Sequence, residues 1–143
     1  MDRTLREIMT DECFCVTKQD NVYETAVKMR EHNIGFVPVV EGRKLVGVIT
    51  DRDLVIRGYA DKKSGSSSVE EVMSTDITCA SPDTSVDEAA KMMAQKQIRR
   101  LPVCENGELI GVVAIGDMAV RNIYKTEAGH ALSQISEPQG SMR

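Results

Sequence analysis

Apolar and polar positions along this chain follow one pattern that occurs twice. When the sequence is shifted by 64 positions, residues 5–60 align with residues 69–124 without a gap, and 16 of the 56 pairs are identical. A gapless repeat of this length indicates a duplicated supersecondary unit. We therefore expect two copies related by a pseudo-two-fold axis, and the clefts between them are natural places for a ligand.

Each copy predicts the element order β-α-β-β-α, so the expected fold class is α/β. In the first copy, a β-rich run at residues 13–17 precedes a helix, and a final helix covers about residues 51–59. Two apolar runs between these helices, at residues 36–40 and 45–50, are joined by a tight turn and predict a hairpin.

The second copy repeats this order, with a hairpin from residues 101–104 and 109–115 and a final helix over about 116–124. The first helix of each copy has an apolar stripe at i, i+4 and i+7: Val22, Ala26 and Met29 in the first copy, Val86, Ala90 and Met93 in the second. Residues 61–68 are polar and rich in Gly and Ser, which predicts a linker, and residues 125–143 are predicted to form a partly disordered tail.

Composition and charge exclude several classes of protein. The formal net charge of −4 and the pI near 5.2 argue against a nucleic-acid surface held by bulk electrostatics. No apolar run approaches the ~18 residues of a membrane span, and the first residues contain no apolar signal core. We expect one compact, cytoplasmic domain that binds neither nucleic acid nor membrane.

The four cysteines are Cys13, Cys15, Cys79 and Cys104, and their spacing fits no zinc pattern. Cys15 and Cys79 are equivalent positions on predicted strands, so we expect small, buried apolar side chains there. A redox pair of Cys13 and Cys15 is the alternative, but residues two apart on a strand point to opposite faces. The cysteines therefore favour a reduced protein without a metal.

Catalytic patterns are missing from the sequence. The only histidines, His32 and His130, are far apart and form no HxxxH or HExxH motif, and there is neither a Walker loop nor a GxGxxG motif. We therefore expect neither an enzyme nor a metal site.

Candidate chemistry is concentrated where a strand passes into a helix, at residues 47–53. A helix N-terminus favours an anion, and a carboxylate such as Asp53 can accept both hydroxyls of a ribose. The same Thr50-x-x-Asp53 spacing is also a capping box, and the spacing alone does not separate the two interpretations. In the second copy Ala114 has lost the hydroxyl while Asp117 remains, which modestly favours ligand binding and makes the two sites unequal.

These residues resemble a tandem pair of cystathionine-β-synthase (CBS) domains, also called a Bateman module. The matching features are the segments opening at Met9 and Met73, the strands that contain Pro38 and Pro102, and the Gly-x-x-Thr-x-x-Asp junction at residues 47–53. The resemblance covers nearly all of residues 5–124 and is to the stand-alone bacterial and archaeal type. It implies adenosine-type ligands (AMP, ADP, ATP or S-adenosylmethionine) in clefts between the copies.

The resemblance also implies roles for individual residues. Asp53 would hold the ribose hydroxyls, and Thr50 would approach the ribose or a phosphate. The remaining expected contacts are with the adenine and the phosphate: Val37 and Pro38 for the adenine slot, the backbone near Cys15, Val16 and Thr17 for the adenine edge, and Arg99 and Arg100 for the phosphate. The alternative for the two arginines is a solvated strand end, since exposed arginine is common.

The second cleft, built on Asp117, lacks the threonine and both arginines, so a phosphorylated ligand is less expected there. We therefore expect a non-catalytic regulatory module that needs no cofactor, binds an adenine nucleotide, forms a homodimer and signals to an unidentified partner protein. The alternatives are a protein-interaction module with empty clefts and an S-adenosylmethionine sensor.

Overall fold

The computed structural model describes residues 3–116 and residue 118, and it combines helices with an antiparallel sheet. The strands are hydrogen-bonded in the order β1-β2-β4-β3. The elements are, in chain order, α1 (Leu5–Ile8), α2 (Val22–His32), β1 (Phe36–Glu41), β2 (Lys44–Thr50), α3 (Asp51–Asp53), a π-helix (Leu54–Tyr59), a 3₁₀ turn (Val69–Glu71), α4 (Val86–Lys96), β3 (Arg100–Glu105) and β4 (Glu108–Ala114). The predicted α/β fold class is confirmed.

Both hairpins form where the sequence predicted them. Strands β1 and β2 pair from Phe36 opposite Thr50 to Glu41 opposite Lys44, with a register shift between Val39 and Val40. The turn between β3 and β4 places Asn106 and Gly107 at positive φ, as a tight turn with the Asn-Gly sequence requires.

The run at residues 13–17 is not a strand, which corrects the prediction. Only Val16 pairs with the sheet, through a parallel bridge to Val39. Its two backbone bonds run from Val16 N to Pro38 O (3.0 Å) and from Val40 N to Val16 O (2.9 Å). The ladder stops there because the next amide, Thr17 N, donates to Asp20 Oδ2 (2.8 Å) and the chain turns. In the second copy Ala80 forms the equivalent bridge to Val103.

The apolar stripes of α2 and α4 also differ from the prediction by one position. Ala26 is exposed and Thr25 is buried in its place, while in the second copy Ala89 is fully buried and Ala90 only partly. Thr25 can be buried because its hydroxyl donates to Asn21 O (2.9 Å), so no polar group is left without a partner. The stripes therefore follow i, i+3 and i+7.

The helix after β2 covers the predicted residues, although its last six residues are π-helical. Most of its predicted twin at residues 116–124, and all of the predicted tail at 125–143, lie outside the described residues. In the part of the chain that the structure does describe, no helix is long and apolar enough to cross a membrane.

The chain divides into two compact units, each of which draws on both sequence copies. We call them the Gly47 unit (residues 12–77 and 106–109) and the Gly111 unit (residues 3–11, 78–105 and the described residues from 110 onward). The core of the Gly47 unit consists of Val16, Val22, Met29, Val37, Val39, Ile49, Val69, Val72 and Met73. The core of the Gly111 unit consists of Leu5, Ile8, Ala80, Ala89, Met93, Leu101, Val103, Val113 and Met118.

These two cores show that the opening segments of the copies are exchanged. Leu5 and Ile8 open the first sequence copy but pack in the core built from the second copy. Val69 and Val72 open the second copy but pack in the core built from the first. Each unit is therefore completed by a segment that is distant in the sequence.

A glycine on the second strand of each hairpin receives the exchanged segment. A Cβ atom on Gly111 would lie 2.6 Å from Met9 Sδ, and one on Gly47 would lie 2.9 Å from Met73 Sδ. Reciprocal backbone bonds fix each approach: Thr10 bonds with Val112 (2.9 and 3.0 Å), and Ser74 bonds with Val48 (2.8 and 2.9 Å). A side chain at either glycine would force the methionine to shift and would also crowd a backbone carbonyl, that of Thr10 (3.1 Å) at Gly111 and that of Ser74 (3.0 Å) at Gly47.

We predict that residues 1–64 and 65–143, produced separately, will not fold as cooperative monomers. The first piece lacks residues 69–73 of its core, and the second lacks Leu5–Ile8. Pieces of this size also bury too little surface to tolerate such a loss. Thermal unfolding followed by circular dichroism, with the intact chain as control, should show no cooperative transition unless a piece pairs with itself. A cooperative monomer from either piece would contradict the prediction.

We also predict that Gly111→Ala will lower the free energy of unfolding by about 1–3 kcal/mol, as overpacking of a core usually does. Gly116→Ala is the matched control, because a Cβ at Gly116 would meet no atom within 4 Å. Urea unfolding of both variants measures the difference. Equal stability of the two variants would mean that the approach of Met9 to the strand is not close.

Candidate functional site

The junction between β2 and α3 is built as a complete capping box. Thr50 Oγ1 accepts a hydrogen bond from Asp53 N (3.0 Å), and Asp53 Oδ2 accepts one from Thr50 N (3.0 Å). The two bonds satisfy donors that would otherwise lack a partner at the start of the helix. The capping interpretation of Thr50-x-x-Asp53 is therefore realised in the structure.

The capping box does not use all of the Asp53 carboxylate. An ionised carboxylate offers about four acceptor positions on its two oxygens. Among the residues that the structure describes, only Oδ2 is engaged, and by a single N–H group. Capping and binding of a ribose are therefore compatible, whereas the sequence presented them as alternatives.

Three of the predicted binding segments, at residues 15–17, 37–38 and 50–53, lie at β1 within the Gly47 unit. Phe36 lies opposite Thr50, and Pro38 O accepts the bond from Val16 N (3.0 Å). The side chains of Val37 and Pro38 are less than 2% exposed, so they belong to the core. In this conformation they would offer a ligand their backbone and not their side chains.

The segment of Cys15, Val16 and Thr17 has one backbone position open to a ligand. Thr17 is occupied, since its N–H donates to Asp20 Oδ2 (2.8 Å) and its carbonyl accepts from Asp20 N (3.3 Å). Val16 is occupied by its bridge to Val39. Cys15 directly precedes Val16, and within residues 3–116 no hydrogen-bond partner is found for its backbone groups.

Asp51 is a feature of the junction that our sequence reasoning missed. Its N–H donates to Gly35 O (3.0 Å), and its carboxylate lies so close to Gly35 that an added Cβ would be 2.6 Å from Oδ2. The second copy keeps the backbone bond, from Ile115 N to Arg99 O (3.0 Å), but replaces both side chains. The sequence offered one signal for this contact. Where the first copy has Gly35 and Asp51, the second copy has Arg99 and Ile115, so the two positions change together.

Arg57 bonds the π-helix after Asp53 to the opening segment of the second copy. Its Nη1 donates to Met73 O (3.0 Å) and, more weakly, to Val72 O (3.5 Å). Because Arg57 is on the π-helix that follows Asp53, these bonds connect the orientation of that helix with the packing of Met73 on Gly47.

Arg99 and Arg100 belong to the Gly111 unit. Arg99 is exposed, Arg100 is half-buried, and Arg100 Nη1 donates to Arg99 O (3.3 Å). Asp117, the candidate residue of the second cleft, lies outside the described residues. Across the described part of the chain, no group of three or more His, Cys, Asp or Glu side chains could hold a metal ion.

The expectation that Cys79 is buried is wrong, because its side chain is exposed. Cys15 is half-buried, and this burial raises the pKa of its thiol. The physical reason is the missing first strand: outside a regular strand, the side chains of this segment are not covered by a sheet neighbour. Cys15 Sγ contacts Cys13 O at 3.8 Å, a thiol-to-carbonyl contact.

Comparisons with known proteins agree on one family. The family model described as CBS domain matches this chain twice, at residues 5–58 and 69–121. The CBS domain-containing protein YhcV of Bacillus subtilis is 41% identical over 133 residues, which cover 93% of this chain and 95% of YhcV.

Two solved structures with the same fold contain adenosine compounds. The CBS domain pair of protein MJ0100, in complex with 5′-methylthioadenosine and S-adenosyl-L-methionine, has a TM-score of 0.79 and 26% identity, covering 88% of this chain and 100% of that one. CBSX2 in complex with AMP has a TM-score of 0.76 and 25% identity, covering 85% of this chain and 96% of that one.

Proposed function

The chain belongs to the CBS-domain family, and from that premise we propose that it binds an adenosine-type ligand and signals its presence to a partner protein. CBS domain pairs are regulatory modules, and this chain contains two matches to the domain. Related pairs have been seen with AMP and with S-adenosyl-L-methionine and 5′-methylthioadenosine. The proposal extends that ligand class to this chain.

The observation that carries the proposal is the uncommitted oxygen of Asp53 at the start of a helix. A ribose presents two neighbouring hydroxyls, and a carboxylate can accept both of them. The Asp53 carboxylate is already oriented by its bond from Thr50 N, so little entropy is lost when a ligand binds. The open backbone of Cys15, in the same unit, is suited to the hydrogen-bonding edge of an adenine.

The substituent on the 5′ carbon decides among the candidate ligands. AMP, ADP and ATP share their ribose hydroxyls with 5′-methylthioadenosine and S-adenosylmethionine, so Asp53 does not distinguish these ligands. For a phosphate the family resemblance supplies two expected partners, Arg99 and Arg100, because an arginine can donate two parallel bonds to it. We therefore favour an adenine nucleotide and keep S-adenosylmethionine as the alternative.

We predict that Asp53→Asn and Asp53→Ala will weaken AMP binding about ten- to a hundredfold, the loss expected for a charge-assisted contact of about 1.5–3 kcal/mol. Asn retains an oxygen that can accept the bond from Thr50 N, so this variant separates the ligand contact from the cap. Isothermal titration calorimetry measures the affinity, and thermal unfolding measures the stability.

Ser85→Ala is the matched control for this experiment. Ser85 Oγ caps α4 by accepting from Glu88 N (3.1 Å), so its loss should cost about 0.5–2 kcal/mol of stability without changing AMP affinity. Arg100→Ala should weaken AMP more than adenosine, since only AMP has the phosphate. If Asp53→Asn binds AMP as the unmodified chain does, the ribose assignment is wrong.

We further propose that the chain is a homodimer that uses the π-helix. Three apolar side chains on this helix are well exposed: Val55 (57%), Ile56 (50%) and Tyr59 (84%). Light scattering should report a dimer that Tyr59→Asp weakens, while Tyr23→Asp on α2, which is also exposed, should not. A monomer at high concentration, together with no thermal shift from any adenosine compound, would favour the interaction-module alternative.

A further inference from the structure

Two cysteines of the Gly111 unit flank one β-bridge. The bridge between Ala80 and Val103 is fixed by bonds from Ala80 N to Pro102 O (3.0 Å) and from Cys104 N to Ala80 O (2.9 Å). Cys79 directly precedes this bridge on one segment, and Cys104 directly follows it on the other. In a parallel bridge the flanking positions lie on the face opposite to the bridged pair, so the side chains of Cys79 and Cys104 share one face, one on each side of the bridge. Both cysteines are reduced.

The two thiols have different environments. Cys79 is exposed to solvent, whereas Cys104 is half-buried. Burial, followed by the neighbouring Cys79, raises the pKa of the Cys104 thiol to about 12. A thiolate is the reactive form of cysteine, so the exposed Cys79 is the thiol that meets a reagent first.

The first copy provides an internal comparison. Its equivalents of Cys79 and Cys104 are Cys15 and Val40. The corresponding bridge, between Val16 and Val39, is therefore flanked by only one thiol. Cys13 is two residues from Cys15, and the Cys15 thiol contacts the carbonyl of Cys13. The paired arrangement is thus seen only in the Gly111 unit, among the residues that the structure describes.

We propose that Cys79 and Cys104 are a modification site that forms a reversible intramolecular disulfide by exchange with a low-molecular-weight disulfide. The Cys79 thiolate attacks one sulfur of the small disulfide, whose S–S bond breaks, and the released thiolate takes up the proton that Cys79 lost. Cys104, after losing its own proton, attacks Cys79 Sγ and expels the second small thiolate, which is protonated in turn. Two protein thiols are oxidised, and one small disulfide is reduced to two thiols.

The disulfide would tie the segment before α4 to the end of β3. It closes a loop that contains α4, which restricts the unfolded chain and stabilises the fold. The tied segment is the second copy's equivalent of Cys15, Val16 and Thr17. Oxidation would therefore hold that segment to β3 whether or not a ligand binds to the Gly47 unit.

Treatment of the intact, folded chain with glutathione disulfide tests the proposal. Peptide mapping by mass spectrometry should find one cross-link, between Cys79 and Cys104, that a thiol reductant removes. The oxidised chain should unfold at a higher temperature than the reduced chain. Cys15→Ser should give the same cross-link, whereas Cys104→Ser should accumulate a glutathione adduct on Cys79.

The unmodified chain alone is sufficient to overturn the proposal, so the outcome does not depend on the folding of a variant. A stable glutathione adduct on Cys79 without a cross-link would show that Cys104 cannot reach it. A disulfide that links two chains would show that the fold does not select this pair. The same conclusion would follow if the folded chain gave the mixture of cysteine cross-links that the urea-unfolded chain gives.

Discussion

The close approach of a methionine to a strand glycine, made once in each unit, is the contact on which the rest of the structure depends. Met9 lies against Gly111 and Met73 lies against Gly47, so close that a Cβ on either glycine would force the methionine to shift. The approach lets the backbone of each opening segment bond to the second strand of a hairpin. It also brings apolar residues from one sequence copy into the core built from the other.

The candidate site is on the same strand as one of these glycines. Strand β2 passes from Gly47 to Thr50, where the capping box starts the helix and orients the Asp53 carboxylate. Arg57, one turn later, bonds to the carbonyls of Val72 and Met73. The proposed ligand at Asp53 would therefore be connected, through the helix backbone and the bonds of Arg57, with the segment that completes the unit's core. In the proposed regulatory module, that connection would carry the effect of ligand binding to the fold.

The sequence predicted the elements whose signals are local: the two hairpins, the first helix of each copy and the Thr50–Asp53 junction. It did not predict features that depend on distant contacts. Thr25 is buried in place of Ala26 because its hydroxyl is satisfied within the helix, and a hydrophobicity pattern does not register that bond. The exchange of opening segments and the placement of Cys79 beside Cys104 depend on long-range pairing. The proposed roles of Arg99 and Arg100 rest on resemblance alone and stay predictions.

The central claim is that a carboxylate in a capping box also holds the hydroxyls of a ribose. Calorimetric titration of the unmodified chain with AMP and with its 2′,3′-dideoxy analogue tests this claim most directly, because protein, adenine and phosphate stay the same. The analogue should bind about ten- to a hundredfold more weakly, because it lacks the hydroxyls that make charge-assisted hydrogen bonds with Asp53. Equal affinities, or no binding of AMP, would contradict the claim.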